Sequence, residues 1–264
     1  MTLSLPDLDI VRTAITPCEL RASTVDNREG LGVMDVRFSP FETWYRVDSF
    51  WEGTFMERTV KGAFKRTIAA HNQARKAGAH QVKTLFNHGQ DMYVDQKLLG
   101  EIDELSEDED SARSSVWLWD TSYNRDLLPG LRSGAYGSSF MFRVVKETWD
   151  NEPQASDYNP DGLPERTIKE VRLFEAGPVT WPANPAATAG MRCMSATDSY
   201  YENLARRDPS RVESMRSKLF ALRDVGPAIA PTPDPREEVP AHSGGLSPRE
   251  RRERLYPYLK GVSA

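Results

Sequence analysis

Cysteine and histidine are scarce in this sequence. Its 264 residues hold two of the first, Cys18 and Cys193, and four of the second, His71, His80, His88 and His242. Neither cysteine has a second one nearby, which excludes the usual clustered spacing of a structural zinc site. One disulfide is arithmetically open, but two separate thiols in a reducing cytoplasm are the expectation. Neither thiol lies in a local pattern that would lower its pKa, so a catalytic cysteine is set aside. Net positive charge is missing too. A formal charge of −5 and a pI near 5.5 argue against nucleic acid as the main ligand, because backbone binding needs clustered cations. No apolar run approaches the roughly 20 residues of a membrane span. The opening "MTLSLPDLDIVRTAI" lacks the basic start and long apolar core of a secretory signal. There is no internal repeat. No cluster of His, Cys and acids has ligand spacing, so no metal or organic cofactor is expected.

What is present reads as β-rich from about residue 20 to 190. "GLGVMDVRFSP" alternates Met34, Val36 and Phe38 against Val33, Asp35 and Arg37, the period of a half-buried strand. "SFWEGTFMERTV" is a second strand candidate with a Glu-Gly turn. "VKGAFKRTIAAHNQARKAG" changes to helical spacing, with Phe64, Ile68 and Ala69 on one face and Gly78 as the C-terminal cap. His71 and His80, on or just past this helix, read as solvated or capping residues. "QVKTLFNH", "KLLGEIDELSED", "ARSSVWLWDTS", "SSFMFRVVKETWD" and "RTIKEVRLFEAGPVTWPANPAA" read as further strands. "YNRDLLPGLRSGAYG" reads as a short helix or turn assembly interrupted by Pro129 and Gly130. Many short strands and few helices predict a barrel or curled sheet with helices outside. The chain divides into an N-terminal extension (1–29), a main domain (30–195), a charged helical segment (196–225) and a proline-rich linker with a basic tail (226–264).

Three places carry candidate chemistry. In "TLFNHGQD" His88 stands where a strand meets a turn; a histidine there is either a turn residue or a general base near neutral pH. In "SGAYGSSFMF" Gly134 and Gly137 flank a turn leading to Ser138 and Ser139. These serines either cap locally or supply a hydroxyl beside backbone N–H groups suited to an oxyanion. Strand alternation puts Ser138 on the side of Phe140 and Phe142. If that pair faces the core, Ser139 is the serine left free. In "LFEAGPV" Glu175 is an acid among apolar neighbours and needs a partner: either Arg166 or Arg172, or the second nitrogen of a histidine.

In order and wording these segments resemble the prohead (capsid maturation) serine proteases of tailed bacteriophages, over roughly residues 30–192. "GTFMERTVKGAFKRTI", "VKTLFNHGQD…LLGEI", "GLRSGAYGSSFMFRV" and "EVRLFEAGPVTWPANPAA" resemble four blocks of that family in the same sequence. The resemblance implies His88 as general base, Ser139 as nucleophile and Glu175 as third member of a triad. Two departures stand out. Ser138 is an extra serine beside the nucleophile position, and Gly177 replaces a serine usual in the closing block, a change expected to loosen local packing. The family's fold resembles the herpesvirus maturational protease, so the expected class is mainly β with peripheral helices (α+β), built as a closed β-barrel.

The expected activity is that of a serine endopeptidase, with backbone N–H groups and Arg143 as candidate oxyanion donors. By the resemblance its substrates are the major capsid protein, scaffold segments and the enzyme itself, inside the prohead in the host cytoplasm. Self-association is left open. No membrane and no nucleic acid are expected as main partners. The competing reading is a non-enzymatic capsid scaffold or assembly protein. A different hydrolase is disfavoured because "GAYGSSF" lacks the last glycine of a G-x-S-x-G elbow.

Overall fold

The computed structural model describes residues 8–21, 30–180 and 195–224. These residues form nine strands and four helices: β1 (Ile10–Pro17), β2 (Glu19–Arg21), β3 (Gly32–Pro40), β4 (Tyr45–Ser49), β5 (Gly53–Thr59), α1 (Lys65–Lys76), β6 (Gly100–Glu107), β7 (Ser111–Leu118), α2 (Ser122–Arg132), β8 (Gly137–Asp150), β9 (Glu165–Val179), α3 (Ala196–Arg207) and α4 (Pro209–Asp224). The class is mainly β with helices, as expected. Residues 10–17 and 19–21, within the N-terminal extension of the sequence reading, are strand. The proline-rich linker and basic tail lie outside the described residues, as do Cys193 and His242.

The strands make two sheets, ordered β1-β8-β9-β5-β4 and β2-β3-β7-β6. Their inner faces meet in an aromatic core. Phe38 of β3 lies 5.3 Å from Phe140 of β8, and Phe64 reaches both rings. Met34, Val36 and Phe38 are fully buried, so the alternation in β3 does point one face inward. Each large apolar side chain so buried contributes roughly 1.5–3 kcal/mol.

The expected closed barrel is not found among the described residues. On one side residues 83–84 pass between β9 and the residue before β6, but they make only one isolated bridge, Lys83 with Glu175, and one further backbone bond. Lys83 N–H donates to the Phe174 carbonyl (2.9 Å), Ala176 N–H to Lys83 (3.1 Å) and Leu99 N–H to Thr84 (3.1 Å). A strand over "QVKTLFNH" would have closed the gap with a ladder. The ladder does not form, and the segment ends at Asn87, where Asn87, His88 and Gly89 take positive φ of 48°, 57° and 67° and turn the chain out of the sheet direction.

Two local expectations also change. His71 is fully buried, not solvated or capping: its Nδ1 accepts the Val82 N–H at 3.3 Å, and burial lowers its pKa. Pro129 does not interrupt α2; it sits in the last turns and the helix runs on to Arg132. Gly78 does end α1. It follows the cap residue Ala77 with φ +74°, donating to Arg75 while Ala79 donates to Ala74, the left-handed exit glycine favours.

Candidate active site

β8 and β9 run antiparallel with Ser139 opposite Gly177 and Glu175 opposite Met141. Glu175 therefore shares a face with Ser139 as a diagonal neighbour, a relation that spans roughly 7–8 Å. One imidazole bridges that distance. His88 Nδ1 lies 2.6 Å from Glu175 Oε2, and its Nε2 lies 2.7 Å from Ser139 Oγ. The structure brings together all three residues singled out in the sequence.

The loop that presents the imidazole holds it in an uncommon backbone conformation. Two successive non-glycine residues in the left-handed region, Asn87 and His88, cost roughly 1–2 kcal/mol each. Asn87 offsets part of this by holding the end of β9: its Oδ1 accepts the Thr180 N–H at 2.9 Å, and its Nδ2 donates to Thr180 Oγ1 at 3.2 Å. The pair of backbone bonds at Lys83 fixes the other side of the loop against β9. The sequence reading did not single out Asn87, although an asparagine just before a turn histidine is a recognisable local signal.

Gly177 corrects an expectation. Packing there is tight, not loosened: a Cβ at this position would lie 2.2 Å from the Leu85 carbonyl oxygen and 2.9 Å from Glu175 Oε1. Only a glycine lets the chain before His88 approach β9 this closely.

Burial sets the electrostatics. The Glu175 side chain is 4% exposed and the His88 side chain 9%, so their contact is little screened by water. Glu175 does not pair with the two arginines considered for it. Arg166 bonds Glu57 and Glu147, and Arg172 stacks over Phe174. Among the described residues, Glu175 Oε1 is buried without a hydrogen-bond partner. Cys18 is sealed nearby; burial, with the Glu175 charge adding, pushes its thiol up to about 12. At neutral pH it stays a protonated thiol, the unreactive form.

The two serines separate by strand face. Ser138 points inward, donating to the Arg37 carbonyl at 2.5 Å with the Thr16 carbonyl at 3.1 Å. Ser139 points to His88. Arg143, a candidate oxyanion donor, places its Nε 2.7 Å from Asp9 Oδ1.

Residues 19–200 match the family described as Caudovirus prohead serine protease. The chain belongs to that family. None of the curated proteins matches it. Among solved structures, the bacteriophage T4 capsid assembly protease, gp21, is similar at a TM-score of 0.34 and 10% identity, over 57% of this chain and 98% of that one. Membership of the prohead protease family makes the chain a member of a peptidase family connected with phage capsid maturation. Among the described residues, no helix is long and apolar enough to cross a membrane.

Proposed function

We propose that this prohead protease family member is a serine endopeptidase using Ser139, His88 and Glu175. The observation that carries the reading is the unbroken hydrogen-bonded path from Glu175 Oε2 through both imidazole nitrogens to Ser139 Oγ. It supplies a base within reach of a hydroxyl and an acid that fixes the base.

In the first half-reaction Ser139 Oγ forms a bond to the scissile carbonyl carbon while its proton passes to His88 Nε2. The carbonyl oxygen becomes an oxyanion. As the C–N bond breaks, Nε2 returns the proton to the leaving amine, leaving an acyl-serine. Water then attacks that ester with the same base, releasing the acid and restoring the hydroxyl. Glu175 accepts the Nδ1 hydrogen throughout and stabilises the transient imidazolium. Backbone N–H groups beside Ser139 are the candidate donors to the oxyanion.

The substrates in this reading are the major capsid protein, its scaffold segments and the chain itself, cut inside the prohead in the host cell. One observation favours the competing reading, a non-enzymatic assembly protein: Ser139 has no solvent exposure at all. The test is gel analysis of capsid protein co-expressed with the wild-type chain, His88→Ala or Ser139→Ala. Processing by wild type and none by either variant is expected. Processing that survives Ser139→Ala would refute the assignment.

A further inference from the structure

The sealed serine has a structural cause. A protein substrate commonly binds by adding an extended strand to a sheet edge. At Ser139, β8 has no free edge: β9 pairs with it on one side, and β1 on the other in the register Thr13 opposite Ser139. A substrate strand can pair with β8 there only by taking the place of β1, which lies ahead of the stretch matching the family.

β1 also competes for the proton that the chemistry needs. Ser139 Oγ lies 2.8 Å from the Arg12 carbonyl oxygen as well as 2.7 Å from His88 Nε2. A hydroxyl has one hydrogen to donate. When neutral His88 gives its Nδ1 hydrogen to Glu175, that single hydrogen can serve Nε2 or the Arg12 carbonyl, not both. Withdrawing β1 removes the competing acceptor as well as the cover.

α3 clasps β1 in place. Thr197 Oγ1 accepts the Val11 N–H at 3.1 Å and donates to the Val11 carbonyl at 3.2 Å, and Tyr201 Oη accepts the Asp9 N–H at 3.0 Å. Arg211 of α4 donates to Asp9 Oδ2 at 3.2 Å. The same α3 holds the loop after His88, with Gln90 Nε2 donating to the Tyr200 carbonyl at 3.0 Å and Arg207 to the Gly89 carbonyl at 2.9 Å. One helix thus ties the cover to the loop carrying the base.

We propose that β1, clasped by α3 and α4, is a built-in cover over Ser139, and that an extended peptide substrate binds along β8 in the place β1 vacates. The proposal rests on Ser139 being the nucleophile. Its test uses the full chain as wild type, Tyr201→Phe and Arg211→Ala, with Ser139→Ala as control. None of the clasp residues touches the imidazole, the hydroxyl or the carboxylate. Two rates are read: amide hydrogen exchange over residues 10–17, and phosphonylation of Ser139 by a fluorophosphonate, located by peptide mass mapping. Both rates should rise together in both variants, by about tenfold, the size of effect expected when one hydrogen bond to the clasp is lost. Wild type labelling as fast as the variants would overturn the cover and leave the nucleophile standing. Fast exchange over β1 with Ser139 still unlabelled would overturn both.

Discussion

Gly177→Ala is a small change with a large expected effect. The new Cβ would stand 2.2 Å from the Leu85 carbonyl oxygen, whereas ordinary contact begins near 3.4 Å. The obstacle is backbone, not a side chain that can swing aside, so residues 83–88 must retreat by about 1.2 Å, the difference of those distances. That retreat pulls at the bonds of Lys83 with Phe174 and Ala176 and carries His88 away from both its partners. Overpacking of this kind costs roughly 1–3 kcal/mol of stability. A displacement near 1 Å at a reacting group costs on the order of 100-fold in rate. Gly177→Ser should do the same, although serine is the residue the resemblance leads one to expect there. The assay is capsid-protein cleavage at a temperature where circular dichroism shows the variant folded, alongside its thermal midpoint. An alanine variant with wild-type cleavage and an unmoved midpoint would refute the claim that Leu85 and Gly177 set the position of the base.

Other outcomes follow from the same geometry. Ser138→Ala should leave cleavage within about threefold of wild type and cost about 1 kcal/mol for the lost hydrogen bond; abolished cleavage in a folded variant would move the nucleophile to residue 138. Cys18 gives an alkaline signature. The unfolded thiol ionises near its ordinary 9.0 and the folded one near 12, so its contribution is complete below pH 9 and is lost as pH rises through that window. The stability difference between wild type and Cys18→Ala, from urea midpoints at pH 8 and about pH 10.5, should therefore shift against wild type at the higher pH; a constant difference refutes it. Arg166→Met removes one of the two cations that bond Glu57, where burial works against the carboxylate but Arg12 and Arg166 outweigh it and lower its pKa. Losing one partner of such a buried group should cost roughly 3–5 kcal/mol, read as a drop in denaturant midpoint; a drop smaller than that of an exposed pair such as Arg46–Asp161 would contradict it.

Much of this was legible in the residues. The alternation of Met34, Val36 and Phe38 fixed the inward face of β3, and that of Ser138, Phe140 and Phe142 separated the two serines. The three site residues came from family wording joined to one chemical argument, that an acid among apolar neighbours needs a partner. Applied to Arg12, Glu57 and Arg166, the same argument would have pointed to the buried ion network linking β1, β5 and β9. The place of β1 was not legible, because its partner β8 begins 120 residues after the end of β1 and nothing local encodes such a pairing. The segment before His88 differs for a local reason: Thr84 and Phe86 favour strands, yet the left-handed residues that follow redirect the chain. Close approach of Leu85 to Gly177 is tertiary information, and it reversed the expected looseness at that glycine.

The site is drawn from a turn at residue 88 and two strands that end at Asp150 and Val179, and β9 also pairs in parallel with β5 across more than a hundred residues. Such distant pairings close late, because the chain must first surrender the freedom of the long loops between them. During synthesis the imidazole and the hydroxyl both leave the ribosome before the strand bearing their carboxylate partner. A nascent chain therefore cannot complete the contact of Glu175 with His88 and Ser139 until β9 has been made.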